Sequence, residues 1–362
     1  MKVDILIVGA GFAGCTLAER VATELNKKVL LVEKRNHIAG NSYDYYNEEG
    51  ILVQKYGPHI FHTNLQNVWD YLSRFTKWNG YVHRVIASVN GKEVYFPINL
   101  STMEVLYNRK FTSETLEAYF QQQRVKLDEI RNSRDVVVSQ IGEELYELFI
   151  KNYTKKQWGV YPDELDPQVT KRIPVRFNRD TRYFADTYQG IPMYGFTRMF
   201  ESMIDNKNIH ILLNTDYKEV VTSVKFDKLI YTGPIDYYFD YMHGKLEYRS
   251  LDFKFETLNM EKYQNAAVVN FPNDFDYTRI TEFKQLYLQR HNKTTICYEF
   301  PKAEGDPYYP IPRHECREKY QKYKAEADKL NSVYFIGRLA QYKYLNMDQV
   351  VDEALNLFKT IT

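Results

Sequence analysis

The stretch "VGAGFAG" at residues 8–14 constrains this chain more than any other. It follows the apolar run "VDILIV" (3–8), which suits a buried parallel strand. It precedes "CTLAERVATELN" (15–26), where Leu17, Val21 and Leu25 recur at fourfold spacing on one helix face. A second apolar run, "KVLLVEKR" (28–35), closes a βαβ unit and delivers Glu33, 19 residues after Gly14. Gly9, Gly11 and Gly14 let backbone amides approach a pyrophosphate at a helix N-terminus, whose partial positive charge favours an anion. Glu33 is placed to accept hydrogen bonds from a ribose diol. Spacing and context together predict a dinucleotide site.

The choice between NAD and FAD turns on the chain beyond this unit. After Glu33 comes "KRNHIAGNSYD" (34–44), a basic, then glycine-containing polar loop able to lie along a longer cofactor. Near the other end, residues 332–358 predict a strand, Gly337, a loop and a helix whose stripe includes Val350, Ala354 and Leu357. Such a unit brings backbone and a helix dipole to a bound group a second time, which favours FAD. The alternative is that residues 333–358 only complete the sheet.

With 362 residues the chain has room for a cofactor domain and substrate-binding parts. Lys plus Arg number 48 against 47 for Asp plus Glu, so nothing draws the whole molecule to nucleic acid or anionic membrane. An anionic ligand must be caught by a local arginine cluster. No run approaches the roughly 20 apolar residues of a membrane span, and the first residues lack a signal peptide's features, so a cytoplasmic protein is expected. Cys15, Cys297 and Cys316 show no CxxC spacing and read as free thiols. His59 and His62 sit three apart without a third ligand, so no metal is expected. Tyrosine is abundant, at 32 residues, and suits the gripping of sugars and bases.

Residues 101–157 predict an inserted helical region, with a Ser101–Glu104 capping box and a stripe of Ile141, Leu145, Leu148 and Phe149. Between about 211 and 300, pieces such as "KLIYTG", "LEYRSLDFKFETL", "AAVVNF" and "TICYEF" predict a mainly antiparallel sheet. The fold class is therefore α/β, or α+β overall. A Rossmann-like cofactor part is assigned to 1–75, 186–238 and 326–362, a helical bundle to 98–172, and an antiparallel sheet domain to 76–97, 173–185 and 239–325.

Eight strings carry a resemblance over essentially the whole chain: "GNSYD" (40–44), "YGPHIFHTN" (56–64), "NYTKKQWG" (152–159), "RIPVRFN" (172–178), "TGPIDYYFD" (232–240), "LEYRSLDF" (246–253), "YTRITEFK" (277–284) and "GRLAQYKYLNMD" (337–348). They resemble the bacterial UDP-galactopyranose mutase family. The resemblance implies a homodimeric FAD isomerase that interconverts the pyranose and furanose forms of UDP-galactose, supplying galactofuranose for cell-surface polysaccharide. It also implies that the N5 atom of reduced FAD is the covalent nucleophile at the anomeric carbon, with an external reductant that no motif identifies. Rival readings are a related mutase for UDP-N-acetylgalactosamine or a dTDP-deoxysugar, an FAD oxidoreductase of the amine-oxidase type, and a non-catalytic UDP-sugar binder.

By the same resemblance Arg172 and Arg279 hold the diphosphate, Arg249 lies nearby and Arg338 serves the flavin side. Tyr183, Tyr309 and Tyr344 offer hydroxyls to the phosphates, Phe149 and Tyr153 stack uracil, Trp158 borders the sugar and Asn270 contacts substrate. His62 sits at the sugar and favours unmodified galactose. The cofactor is expected on Gly9, Gly11, Phe12, Gly14, Glu33, Lys34, Gly40, Asn41, Ser42, His59, Ile60, Gly337, Arg338, Leu345, Asn346, Met347 and Asp348. Two positions depart from the family pattern. Ala39 replaces a glycine, which reads as a mild backbone restriction, and Asn346 replaces an aspartate, which bears on sugar choice. The arginine-rich segment 172–182 is expected to be a loop that closes over an anionic substrate.

Overall fold

The structure, a computed structural model, describes residues 2–171 and 173–361. The apolar runs of the opening βαβ unit become the strands Ile5–Val8 and Val29–Val32, joined by the helix Phe12–Glu24. They lie in a five-stranded parallel sheet ordered Val333–Phe335, Lys228–Tyr231, Ile5–Val8, Val29–Val32 and Ile209–Leu212. "KLIYTG" is thus a parallel strand of the cofactor sheet, not part of the antiparallel one as its composition suggested. All four residues of Val29–Val32 are buried, as a strand covered on both faces requires. The helix Met347–Ile361 packs beside Phe12–Glu24 and buries Val351, Ala354 and Ile361.

A second, seven-stranded sheet runs Tyr309–Pro310, Tyr248–Leu258, Thr294–Lys302, Arg279–Glu282, Val268–Asn270, Val85–Val89 and Lys92–Phe96. Its pairings are antiparallel except where Val268–Asn270 meets Val85–Val89. Period-two alternation divides the strands between neighbours. Val85, Ala87, Val89 and Val268 pack against the helical layer, whereas Ala267 and Cys297 join the core under the nucleotide-binding sheet. Register matters most here: Asn270, Arg279 and Glu299 lie directly opposite one another on adjacent strands and share one sheet face.

The helical layer begins at Leu100–Tyr107. Its N-cap is Asn99, which accepts from the Ser101 and Thr102 amides while the Thr102 hydroxyl accepts from the Asn99 amide. The expected Ser101–Glu104 box is therefore displaced by two residues. Glu104 instead takes Arg179, and that hydrogen bond draws its carboxyl down to about 2. The helix Ser133–Tyr146 is broken at Gly142, whose φ of +82° only glycine adopts cheaply and where a Cβ would lie 2.5 Å from the Gln123 carbonyl. It continues into a π-helical turn, Glu147–Lys151, and the helix Asn152–Trp158. Among the described residues no helix is long and apolar enough to cross a membrane.

Candidate functional site

The cofactor end is built by close backbone approach. Gly9 has φ +99°, and a Cβ there would meet Thr232 Oγ1 at 2.1 Å; one on Gly14 would meet the Gly9 carbonyl at 1.9 Å. Gly11 caps the helix Phe12–Glu24 without a side-chain bond, so the first-turn amides stay available to an anion. Glu33 accepts from the amides of Ala10 (2.9 Å) and Arg35 (2.9 Å), which fixes its carboxylate at the end of the second strand. The turn Gly40–Ser42 crosses the glycine loop so closely that a Cβ on Gly40 would lie 3.1 Å from Gly11 Cα. Ala39 sits left-handed at φ +71°, a stronger restriction than the sequence suggested, while its buried methyl contributes to the core.

From this end a cleft of about 700 Å³ opens between the two sheets and the helical layer. His59, Ile60 and His62 line one side. Arg338 and the helix start at Asn346, Met347 and Asp348 line another, and Asn270 and Arg279 a third. Phe149, Tyr153, Trp158, Tyr183, Tyr309 and Tyr344 complete it. Phe149 belongs to the core and to the cleft at once: it is buried, stacked on Phe96 at 6.0 Å, and carried by the π-helical turn.

Arg279 forms a two-point pair with Glu299, Nε to Oε2 at 3.0 Å and Nη2 to Oε1 at 2.7 Å. Burial works against its charge, but Glu299 beside it outweighs this and holds its pKa well above the ordinary value. Arg338 donates twice to the Leu345 carbonyl (3.2 and 2.6 Å) and lies 5.3 and 5.2 Å from the ring centres of Tyr309 and Tyr344. Those two rings stack at 5.7 Å, with Trp158 tilted against both. Burial raises the Tyr153 hydroxyl to about 12, so it enters the cleft as a neutral donor. His62 bonds Asp186 at 2.8 Å and stacks on Phe184 at 3.6 Å. His59 Nδ1 lies 3.0 Å from the Gly57 carbonyl, and burial draws the ring down to about 4. Among the described residues no cluster of three His, Cys, Asp or Glu could hold a metal.

Some expected residues lie elsewhere. Arg249 is not brought into the cleft; it is buried and donates to the carbonyls of Gln157 (3.0 Å) and Lys156 (3.1 Å), holding the C-terminal turn of Asn152–Trp158. The Phe12 ring packs on Phe196 and Phe200, leaving its main-chain amide as the group that can serve a dinucleotide. Leu345 is buried and acts through its carbonyl, Ser42 donates back to Ala39, Asn41 accepts from Arg35, and Lys34 is half exposed near Asp306. The Gly337 amide donates to Gln341. Arg172 lies outside the described residues. In the rest of its segment Arg176, Arg179 and Arg182 are occupied by the Asp180 carbonyl, Glu104 and Asp180 respectively.

The cleft also holds Gln157, His83 and Asp186, which the sequence motifs did not single out. Gln157 alone had a signal, its place in "NYTKKQWG". Its Oε1 is buried without a partner among the described residues, as are Asn270 Oδ1 and Asp348 Oδ1, three acceptors that a polar ligand would satisfy. Burial first, then Arg279 and His62, draws the His83 imidazole down to about 3. Unfolded, it titrates near 6.5. Between these values only the unfolded chain takes up the proton, so this stability is fully present above about pH 6.5 and is lost as pH falls toward 3. From pH 7 to pH 5 the loss through His83 is about 2 kcal/mol. In urea denaturation at those two pH values, His83→Asn is expected to lose about 2 kcal/mol less than wild type; equal losses would contradict a neutral buried His83.

Residues 148–344 match the family model described as UDP-galactopyranose mutase, and residues 7–75 the one described as NAD(P)-binding Rossmann-like domain. The chain is 38% identical to a probable UDP-galactopyranose mutase of Klebsiella pneumoniae, over 97% of this chain and 93% of that protein. It is 35% identical to a dTDP-fucopyranose mutase of Escherichia coli, over 97% and 96%. A crystal structure of reduced UDP-galactopyranose mutase superposes with a TM-score of 0.81 at 17% identity, covering 100% of this chain and 94% of that one, which shows the shared fold.

Proposed function

The chain belongs to the UDP-galactopyranose mutase family, and from that premise we propose that it interconverts UDP-galactopyranose and UDP-galactofuranose with reduced FAD. The observation that carries the reading is the convergence of Arg279, the stacked Tyr309–Tyr344 pair and the Phe149–Tyr153 shelf on one cleft. An anion, a sugar and a base find complementary chemistry there in sequence.

The residues fit FAD. Gly9, Gly11 and Gly14 clear a path for the pyrophosphate, Glu33 receives the ribose, and the Gly40 turn leads toward His59, Arg338 and the start of Met347–Ile361. The unpartnered Asp348 oxygen in that helix start supports a polar group being held there. When bound and reduced, FAD supplies the nucleophile at the sugar's anomeric carbon, which allows ring exchange without net oxidation.

The chain's own residues do the rest. Arg279 meets the charge that develops on the departing diphosphate, and its pairing with Glu299 keeps the fork oriented before substrate arrives. Arg172 is assigned the same duty from its motif. Tyr309, Tyr344 and Tyr183 add hydroxyl groups, while buried Trp158 walls the sugar from water. Asn270, on the same rung as Arg279, offers its free carbonyl oxygen to a sugar hydroxyl. Asp186 fixes the His62 ring at the sugar. The two main sheets and the helical layer packed on the seven-stranded one support the three-part division read from the sequence. A cytoplasmic homodimer belongs to the same proposal.

The test is turnover of UDP-galactopyranose by dithionite-reduced and by oxidised enzyme, with the furanose followed by chromatography. Conversion is expected in the reduced state alone. If reduced enzyme binds UDP but converts only a dTDP-6-deoxysugar, the substrate follows the E. coli relative's name and Asn346 becomes the position to examine.

A further inference from the structure

Residues 271–278 connect the strand that ends in Asn270 to the strand that begins with Arg279. The loop is folded around an ammonium. The carbonyls of Phe271 (2.5 Å), Asp274 (3.1 Å), Phe275 (3.2 Å) and Tyr277 (3.1 Å) surround Lys156 Nζ and share its three N–H donors, closing on it as they would on a bound cation. Burial draws the ammonium down to about 8, partly offset by Asp274 and Asp276, so it is still charged at neutral pH. A second tie lies alongside: Asn273 donates to the Leu148 carbonyl in the π-helical turn (2.9 Å) and accepts from Asn152 (3.0 Å).

Lys156 sits in the same short helix as Tyr153 and Trp158, about two turns beyond Phe149. Its own carbonyl takes Arg249, which is anchored in the long strand Tyr248–Leu258. We infer that Lys156 is a positioning residue: a clasp that locks the aromatic shelf for the base to the Asn270–Arg279 corner for diphosphate and sugar, so that one nucleotide spans both. This role rests on the cleft taking a nucleotide sugar, as proposed above. Neither half-site gains contacts from the clasp. What the clasp sets is their separation and orientation, on which a ligand touching both depends.

The test compares uridine, which reaches only the base half, with UDP, which reaches both, by titration of the FAD holoenzyme. For Lys156→Met we expect full flavin absorbance, a melting temperature lowered by a few degrees as the loop carbonyls lose their partner, and uridine affinity within about twofold of wild type, with UDP affinity weakened about tenfold or more. kcat/KM for the nucleotide sugar should fall about 10- to 100-fold, as expected for a misplaced reacting group. Asn273→Ala, which removes only the second tie, should shift the same quantities in the same direction by less. Lys155→Met is the control, because among the described residues Lys155 Nζ bonds Tyr161, at 2.6 Å, outside the cleft. Equal weakening of uridine and UDP would assign Lys156 to folding alone, and unchanged UDP binding and turnover would remove its role altogether; either result overturns the clasp. The titrations need no turnover, so a wild-type enzyme that binds UDP without isomerising its sugar would remove the mutase reading while the clasp is still judged by binding.

Discussion

Arg279→Ala is expected to lower kcat/KM by two to three orders of magnitude while FAD stays bound. Removing one preorganised donor from a developing charge costs roughly 3–4 kcal/mol in comparable sites. Arg279 is the described arginine whose fork is held at the cleft by a buried carboxylate. A second effect of similar size runs through Glu299, which is only 2% exposed. Stripped of its partner, that carboxylate is left buried and uncompensated, at about 3–5 kcal/mol of folding stability. The two effects separate in the double variant Arg279→Ala/Glu299→Gln. It should recover most of the thermal stability, because no buried charge is orphaned, and almost none of the turnover, because the diphosphate still lacks its cation. Turnover within tenfold of wild type in the single variant would show that Arg279 does not hold the leaving group.

The second large effect is expected at Gly14. A Cβ there lies 1.9 Å from the Gly9 carbonyl oxygen, a main-chain atom that cannot swing aside, and 3.3 Å from the Ile7 side chain. Gly14→Val must therefore push the helix Phe12–Glu24 away from the strand Ile5–Val8, opening the loop whose amides face the pyrophosphate. The protein should purify colourless, with FAD affinity weakened on the order of 100-fold or more, equivalent to about 3 kcal/mol. The ratio of flavin to protein absorbance after gel filtration reads this directly. Gly11→Ala is the contrast: its Cβ meets Gly40 Cα at an ordinary 3.8 Å, so the local fold should survive. A Gly14→Val protein with a full complement of flavin would mean that the glycine serves packing elsewhere, not the cofactor.

The opening βαβ unit was legible because its determinants are local. Glycine's missing Cβ, the apolar runs and Glu33 act within one short stretch of chain, where steric rules admit few alternatives. Helix stripes were legible for the same reason: Ile141, Leu145 and Phe149 do face a core. Capping was less so, since Asn99 and Ser101 both favour an N-cap and the neighbouring packing, with Thr102 donating to the Tyr95 carbonyl, decided between them. "KLIYTG" misled because a buried parallel strand and an antiparallel one share the same β-prone residues. Arginines were the hardest to place. Arg249 and Arg279 occupy similar strand contexts, yet one ends on two carbonyls beneath the site and the other is held at the cleft by a buried carboxylate.

Residues close together along the chain were enough to establish the dinucleotide-binding loop and, through eight motifs, the family. Which polar groups meet was settled by the folding of distant segments onto one another. Sheet register sets Asn270, Arg279 and Glu299 on one rung, and the docking of a helix on a hairpin more than a hundred residues away closes Lys156 into a ring of carbonyls. Such contacts depend on the packing of whole elements, where the gain from burying apolar surface fixes relative position and the polar groups satisfy one another within it.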